Sequence, residues 1–428
     1  MQRLNYRKTF LIGFGFFASS LAWSIYNAFV PVLLKERYLE DATIIGFIMT
    51  IDNVFGVIFQ PLIGQLSDRT QTRIGKRMPY ILAGIPLCAV AFFFIPRTNT
   101  LLSMMAVIIL FNLIMSIWRS PVVALMPDLT PPSQRSKANG IINLMGGVGG
   151  VIAFLAGGLL AKAGGNNMPF LMGSIIMLFA LIIIFFFVKE PDSRKLARQM
   201  ESREAGLEQA KTAVRAEPPA EKPARLPKPQ KRSLIALLLA IFFWFCGYNA
   251  VESFFTLYAT QELGVVLGDA SMMLTLFSLT LVAFALPAGI LAGRFSRKKM
   301  ILAGLAGMIL TFLPMLFIEN LWVLRILLLL GGAFWACINI NSLPMVVELA
   351  SKERIGSFTG YYYFFSFSAA IVSPPLFGLI CDLTKSYANL FIYSVIAFVL
   401  AMICMVNVHH GEADPNAAAP DNVQPITE

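Results

Sequence analysis

Apolar residues in this chain come in long blocks, without the two-residue or 3.6-residue alternation of an element that has one wet face. Twelve blocks run near 10–34, 42–66, 79–96, 101–125, 138–161, 168–188, 233–259, 270–293, 300–318, 321–347, 358–381 and 386–408. Their lengths match the roughly 18–20 residues with which a helix crosses about 30 Å of hydrocarbon. Lipid offers no partner to an open backbone amide, so each block predicts a membrane-spanning α-helix. The expected fold is an all-α membrane protein of twelve transmembrane helices in two pseudo-symmetric six-helix bundles.

One polar stretch interrupts the rhythm. Residues 189–232 hold 12 basic and 7 acidic side chains with six prolines, a composition that cannot bury a core. It reads as a cytoplasmic linker, partly disordered, with a surface helix in 193–214. The expected domains are an N-terminal six-helix bundle over 1–188, this linker over 189–232, a C-terminal six-helix bundle over 233–409 and a disordered cytoplasmic tail over 410–428. The opening Met1–Thr9 is short and basic, and the apolar block after it is too long for a signal-peptide core. A retained first helix is expected.

Composition agrees with the pattern. The 428 residues are 57% hydrophobic and 14% charged, and the mean hydropathy is +0.71; a soluble chain is about 45–50% apolar and about 25% charged. The net charge of +10 is unevenly spread. Loops on the side of the termini hold 27 of the 34 basic residues and the opposite loops hold 5. The positive-inside rule therefore puts both termini in the cytoplasm of a multi-pass cell-membrane protein. Cationic loops beside anionic lipid account for the charge without a nucleic-acid partner. The five cysteines lack paired spacing, and the only histidines are the adjacent His409 and His410. No metal site, cofactor or enzymatic nucleophile–base set is expected, and no phosphate-binding glycine loop opens a helix.

The halves repeat. Trp23, Tyr26, Asn27 and Ala28 return as Trp244, Tyr248, Asn249 and Ala250; Gly64 and Arg69 as Gly289 and Arg294; Asp128, Arg135 and Gly140 as Glu348, Arg354 and Gly360. A near-constant offset at three places predicts two similar bundles about an axis along the membrane normal, with a substrate site between them at mid-depth.

The most specific motif is Gly64-Gln-Leu-Ser-Asp68-Arg69-Thr-Gln-Thr-Arg73-Ile-Gly75-Lys76-Arg77. Gly64 permits close helix approach, and Gly75 a tight turn. The segment resembles the signature loop of the major facilitator superfamily. That resemblance implies a cytoplasmic charge latch built on Asp68 and the loop's basic residues, Lys76 among them; the expected pairs join Asp68 and Asp128 to Arg69, Arg77 or Arg135, answered by Glu348 and Arg354 in the second half. The second copy of the loop has Gly293 where the aspartate would stand. Within the superfamily, Asp52-Asn53, Gln60-Pro61, Gly75-Lys76-Arg77-Met78-Pro79-Tyr80 and Ala124-Leu125-Met126-Pro127-Asp128-Leu129 resemble the sucrose-transporter and solute-carrier-45-like sugar porters. The glycoside-pentoside-hexuronide symporters are looser relatives. Two departures stand out: Val123 replaces an arginine of the plant-type pattern, and Gln60 replaces the melibiose-type aspartate of sodium coupling.

Ionisable residues deep in a span need a structural or functional reason, since each costs at least about 2.5–3.5 kcal/mol to insert. Asp52 lies roughly 15 Å into span 2 at about 1.5 Å per residue, and Arg119 in the cytoplasmic third of span 4. Glu252 lies in the outer third of span 7, with Arg325 at a similar depth in span 10. Asp52 and Glu252 are candidates for proton coupling; Arg119 and Arg325 are candidate counter-ions, with Arg325 expected beside Glu252. The alternative is that these charges form fixed pairs that tie helices together. Sugar-binding candidates are Trp23, Tyr26, Asn27, Asn112, Trp118, Trp244, Tyr248, Asn249, Asn339 and Asn341, because aromatic faces stack on a pyranose and amides bond hydroxyls both ways. Their alternative is a lipid-facing or interfacial position, the reading favoured for Trp322 and for part of the Tyr361–Tyr363 run. The combined expectation is a secondary transporter of a sugar, a glycoside or disaccharide, working as a monomer by alternating access with a proton as coupling ion. The readings set against it are a superfamily transporter of a drug, nucleoside or lipid-like solute, and a non-transporting sensor on the same fold.

Overall fold

The computed structural model describes residues 4–131, 134–195, 227–350 and 354–410. The first half contains α1 (Tyr6–Arg37), α2 (Ala42–Met49), α3 (Ile51–Arg69), α4 (Met78–Phe94), α5 (Leu101–Leu129), α6 (Arg135–Gly164) and α7 (Met168–Phe187). The second contains α8 (Lys228–Gln261), α9 (Leu267–Phe295), α10 (Arg297–Met315), α11 (Leu321–Glu348), α12 (Ile355–Thr384) and α13 (Asn389–Val406). Twelve spans result, because α2 and α3 together make one crossing. Most of the expected linker, 196–226, and the tail 411–428 lie outside the described residues. Helix α8 starts at Lys228, so its first turn takes up residues that the composition assigned to the linker.

The repeat is visible in the packing. In the first half, α1 rests on α6 and α7, α3 on α5, and α4 on α5 and α7. In the second half, α8 rests on α12 and α13, α9 on α11, and α10 on α11 and α13. These are the same partners one half later.

The break in the second crossing was not foreseen. The Thr50 hydroxyl donates to the Phe47 carbonyl at 2.8 Å, and its N–H donates to the same oxygen at 3.2 Å. These three-residue bonds draw the backbone out of the α ladder. Helix α3 begins one residue later, so Asp52 falls in its first turn. There its Oδ1 accepts the Asn53 N–H at 2.6 Å and the Asn53 amide at 2.7 Å.

The two halves meet along α6 with α9 and along α2 with α12. Both seams tighten at the face away from the termini, here termed the far face. Gly158 of α6 packs against the Gly268 backbone of α9, where a Cβ would collide with a carbonyl oxygen. Lys162 bonds Asp269 at 2.8 Å beside it, and the Ser271 hydroxyl donates to Phe154 O at 3.0 Å. At the other seam, Asp382 of α12 accepts the N–H groups of Ala42 and Thr43, each at 2.8 Å, and the Thr43 hydroxyl. A carboxylate from one half thus caps a helix of the other, satisfying open amides at its positive end. Glycines bring the backbones together: a Cβ on Gly378 would strike the Ala42 carbonyl, and one on Gly46 that of Pro374. At the opposite face, which carries the loop of Arg73 to Arg77 and is termed the basic face, Gly140 of α6 and Gly293 of α9 look onto open space. Among the described residues, the bonded contacts between the halves lie at the far face.

The Asp382 cap should hold that closure. Replacing Asp382 with alanine is expected to weaken it by about 1–2 kcal/mol, the usual worth of a helix cap. A cysteine placed at the buried Met49, with the native cysteines removed, should then react roughly tenfold faster with an impermeant maleimide from the far face. Unchanged labelling would show that the cap does not hold the seam.

Candidate central cavity and the charge cluster beneath it

A cavity of about 330 Å³ lies between the halves. Helix α1 contributes Ser19, Ser20 and Ser24, α5 Arg119, α6 Asn143, and α8 Tyr248 and Glu252. The serines follow from helical spacing: Ser20, Ser24 and Asn27 stand at i, i+4 and i+7 and share one stripe of α1. Asn27 turns its amide onto the Glu252 carboxylate, and Tyr248, one turn before Glu252, is also within its electrostatic reach. Asp52 stands close enough to feel Glu252, Arg119 and Tyr26, while Arg119 in turn faces Asp52 and Tyr363. Acids and base from α3, α5 and α8 therefore converge on one space.

Several sequence expectations are corrected here. Arg325 does not pair with Glu252; its guanidinium lies 4.8 Å over the Trp322 ring, one turn earlier on α11. The direction in which each side chain points around its helix axis was not available from spacing. Trp118 and Trp244 are fully buried and fill space between helices; Trp118 packs against Gly84. Asn249 donates one N–H to Phe245 O at 2.7 Å and Asn341 one to Cys337 O at 2.9 Å, each on its own helix, and neither residue is on the cavity wall. Asn339 is half-buried on α11 and is not on the cavity wall. Trp23 meets Tyr26 edge-on at 5.9 Å, and Tyr26 stacks on Phe111 at 5.7 Å. Asn112 is buried beside Tyr26. That cluster supports the wall from behind. Among the described residues, the Trp23 indole nitrogen, the Tyr26 hydroxyl and both Asn112 amide atoms have no hydrogen-bond partner. Tyr248 stacks flat on Trp335 at 4.3 Å, which fixes its ring on the cavity side of α8. Neither Trp335 nor the serine row was singled out from the sequence, although the i, i+4 spacing of Ser20 and Ser24 was there to be read.

Beneath the first half lies the loop from Thr70 to Arg77. Gly75 turns it with φ +107°, a conformation that strains any side chain. Arg77 is then drawn inward and buried. Its Nε donates to Asp128 at 2.9 Å, its other nitrogens to Asp68, Ser67 and, at 3.2 Å, Gly64 O. Lys76 reaches Asp128 at 3.2 Å and Asp68 at 3.8 Å. The matching pair in the second half is Arg297 with Glu348, both 220 positions beyond Arg77 and Asp128. The expected partner Arg354 instead stands at the start of α12, and neither it nor Arg69 forms an ion pair with a described residue. Arg135 donates to the Pro127 and Thr130 carbonyls at 3.1 and 3.4 Å, closing the end of α5. Every ion pair described at this face lies within one half. Among the described residues, the cluster braces each bundle.

Glu190, just past α7, was missed altogether. Its carboxylate accepts the N–H groups of Lys76, Arg77 and Met78 at 2.9, 3.0 and 3.1 Å, capping α4. Ser193 continues the contact, exchanging bonds of 2.8 and 3.0 Å with the Thr72 backbone. Composition marked 189–232 as linker, but its first residues are built into the first bundle.

The family model of the Major Facilitator Superfamily matches residues 12–267 and 237–428. The chain belongs to the major facilitator superfamily. The transporter is 25% identical over 399 residues to the Hexuronate transporter of Bacillus subtilis, covering 87% of either chain. It is likewise 25% identical over 399 residues to Multidrug resistance protein 2 of the same organism, covering 91% of this chain and 92% of that one. A third relative, the uncharacterised transporter YxiO of that organism, is 28% identical over 181 residues, 42% of either chain. In solved structures the fold recurs in the nucleoside transporter NupG, with a TM-score of 0.71 at 14% identity over 94% of this chain and 99% of that one. It recurs too in a bacterial homologue of the lysosomal transporter Spinster in an inward-facing, unoccupied conformation, with a TM-score of 0.72 at 13% identity over 97% of this chain and all of that one.

Two outcomes follow from the basic-face cluster of this transporter. Arg77→Met leaves Asp68 and Asp128 without their shared fork and should cost about 2–3 kcal/mol. The melting temperature in detergent should fall by several degrees, and Arg77→Lys should recover only part, because an ammonium cannot fork. Deleting 200–222 should spare stability and uptake, whereas a deletion that also removes Glu190 to Ser193 should impair both. Equal behaviour of the two deletions would mean that the Glu190 cap carries no weight.

Proposed function

We propose that the transporter moves a sugar together with a proton by alternating access, with the basic face toward the cytoplasm and both termini inside. The observation that carries this reading is the polar wall of the central cavity, where Ser20, Ser24, Asn143, Arg119, Tyr248 and Glu252 meet. Hydroxyls and amides in a low-dielectric site suit a polyol, which bonds as donor and acceptor at once. Tyr248, held flat by Trp335, offers a ring for the apolar face of a pyranose. The resemblance of the Asp52, Gln60, Gly75–Tyr80 and Ala124–Leu129 segments to sucrose-transporter-type porters supports the same cargo class, as does similarity to a hexuronate transporter.

Similarity to a multidrug resistance protein favours a second reading, export of a lipophilic solute. Phe16, Phe154, Phe277 and Phe312 on the wall would serve such a cargo. Against it stand two buried acids and one base, whose insertion a purely apolar ligand would leave uncompensated. For coupling, Asp52 lies within electrostatic reach of Glu252, and these two acids are the candidates to carry the proton. The reading includes no catalysis, no cofactor and a monomeric working unit.

Uptake of a labelled sugar panel into proteoliposomes, with and without a proton gradient, tests the proposal. Asp52→Asn should abolish accumulation against a gradient while exchange of internal for external sugar continues. An Asp52→Asn protein that still concentrates its substrate would shift coupling to Glu252 or to uncoupled diffusion. Transport of lipophilic cations with no response to any sugar would install the second reading.

A further inference from the structure

Arg119 lines the cavity, yet among the described residues it forms no ion pair and no hydrogen bond; Asp52 and Tyr363 are its nearest electrostatic partners. A guanidinium keeps its charge at any working pH and offers a planar fork of five N–H donors. Holding such a fork open inside a span is expensive unless a ligand completes it. The group that fits is a carboxylate, which accepts two parallel bonds from the fork.

We infer that the cargo is an acidic sugar, a monoanion whose carboxylate docks on Arg119, and that it crosses with one proton as an electrically neutral load. This rests on the sugar–proton reading above and adds the charge of the substrate. Two ionisable groups line the cavity, Arg119 on α5 and Glu252 on α8, and Asp52 on α3 lies within electrostatic reach of both. The groups facing them are Tyr26 and Asn27 on α1, Asn53 on α3, Tyr248 on α8 and Tyr363 on α12. A net charge in a low-dielectric site is costly, so both the loaded and the empty carrier cross most easily when neutral. Empty, neutrality requires one of the two acids ionised opposite Arg119. Loaded with a monoanion, it requires both acids protonated. The difference is one proton, added to a carboxylate oxygen of Asp52 or Glu252 when the sugar binds and released when it leaves. A neutral sugar leaves the count unchanged and would carry no proton. A dianionic sugar phosphate would need a second cation, and Arg325 is occupied with Trp322.

The test uses the full-length protein in proteoliposomes, with labelled hexuronates, their neutral methyl esters and the matching neutral hexoses. Hexuronate accumulation under an inward proton gradient should exceed that of the esters by about tenfold or more. A potassium–valinomycin potential alone should drive none. In detergent, hexuronates but not esters should raise the melting temperature. Arg119→Gln should lose that discrimination, and Arg119→Lys should retain part. If the Gln variant does not fold, the acid-against-ester comparison on the unaltered protein decides. Accumulation of neutral sugars with no preference for the acids would overturn this inference and leave the sugar–proton reading standing. Hexuronate uptake driven by potential alone would overturn the one-proton count. Failure of every sugar to bind or move would overturn both.

Discussion

Because hydrocarbon supplies no hydrogen-bond partner, each crossing segment of this protein must satisfy its backbone within a helix, and each polar side chain must find a partner or line a cavity. The rest of the architecture follows from that constraint. Blocks of apolar residues become twelve spans, and three of the charges inside them, Asp52, Arg119 and Glu252, gather where the halves meet. Even the exceptions obey it. The ladder opens at Thr50 in the second crossing, and the Thr50 hydroxyl and the Asp52 carboxylate take up local bonds there.

Helix ends do much of the remaining work. A carboxylate at a helix N-terminus satisfies open amides and meets the positive end of the dipole. Asp382 uses this to join the halves at the far face, and Glu190 uses it within one half at the basic face. The difference matters for alternating access. A cap across the interface has to break for the far side to open, whereas a cap inside one bundle travels with it. The break at Thr50 lies between these regimes: α2 is held by the opposite half through Asp382, and α3 belongs to its own half through α5. Asp52 sits at the joint.

The cavity concentrates the cost of buried charge in three groups. Asp52, Glu252 and Arg119 come from three helices and are near enough to influence one another, yet no pair among them closes to an ion pair among the described residues. Fixed pairs would lock helices together. Open ones leave charge for a substrate and a proton to balance, which suits a carrier whose site must empty on each cycle.

The sequence by itself determined the depth and order of everything in the membrane. Span count, the six-and-six division and the internal repeat follow from block lengths and offsets, and a pairing of Asp128 with a base such as Arg77 was legible because the 64–77 loop and the 124–129 segment carry the two partners. Spacing also put Asp52, Arg119 and Glu252 at buried depths. Tertiary structure alone decided which way each of them points. Rise per residue converts sequence position into height, but the rotation of a helix about its axis depends on the neighbours that pack against it. For that reason Arg325, expected beside Glu252, lies on Trp322, and Trp118 and Trp244 fill helix contacts away from the cavity wall. The contacts of Glu190 and Asp382 join residues more than 100 positions apart, with no local periodicity to announce them. Only when the bundles have packed do those carboxylates meet the helix ends they cap.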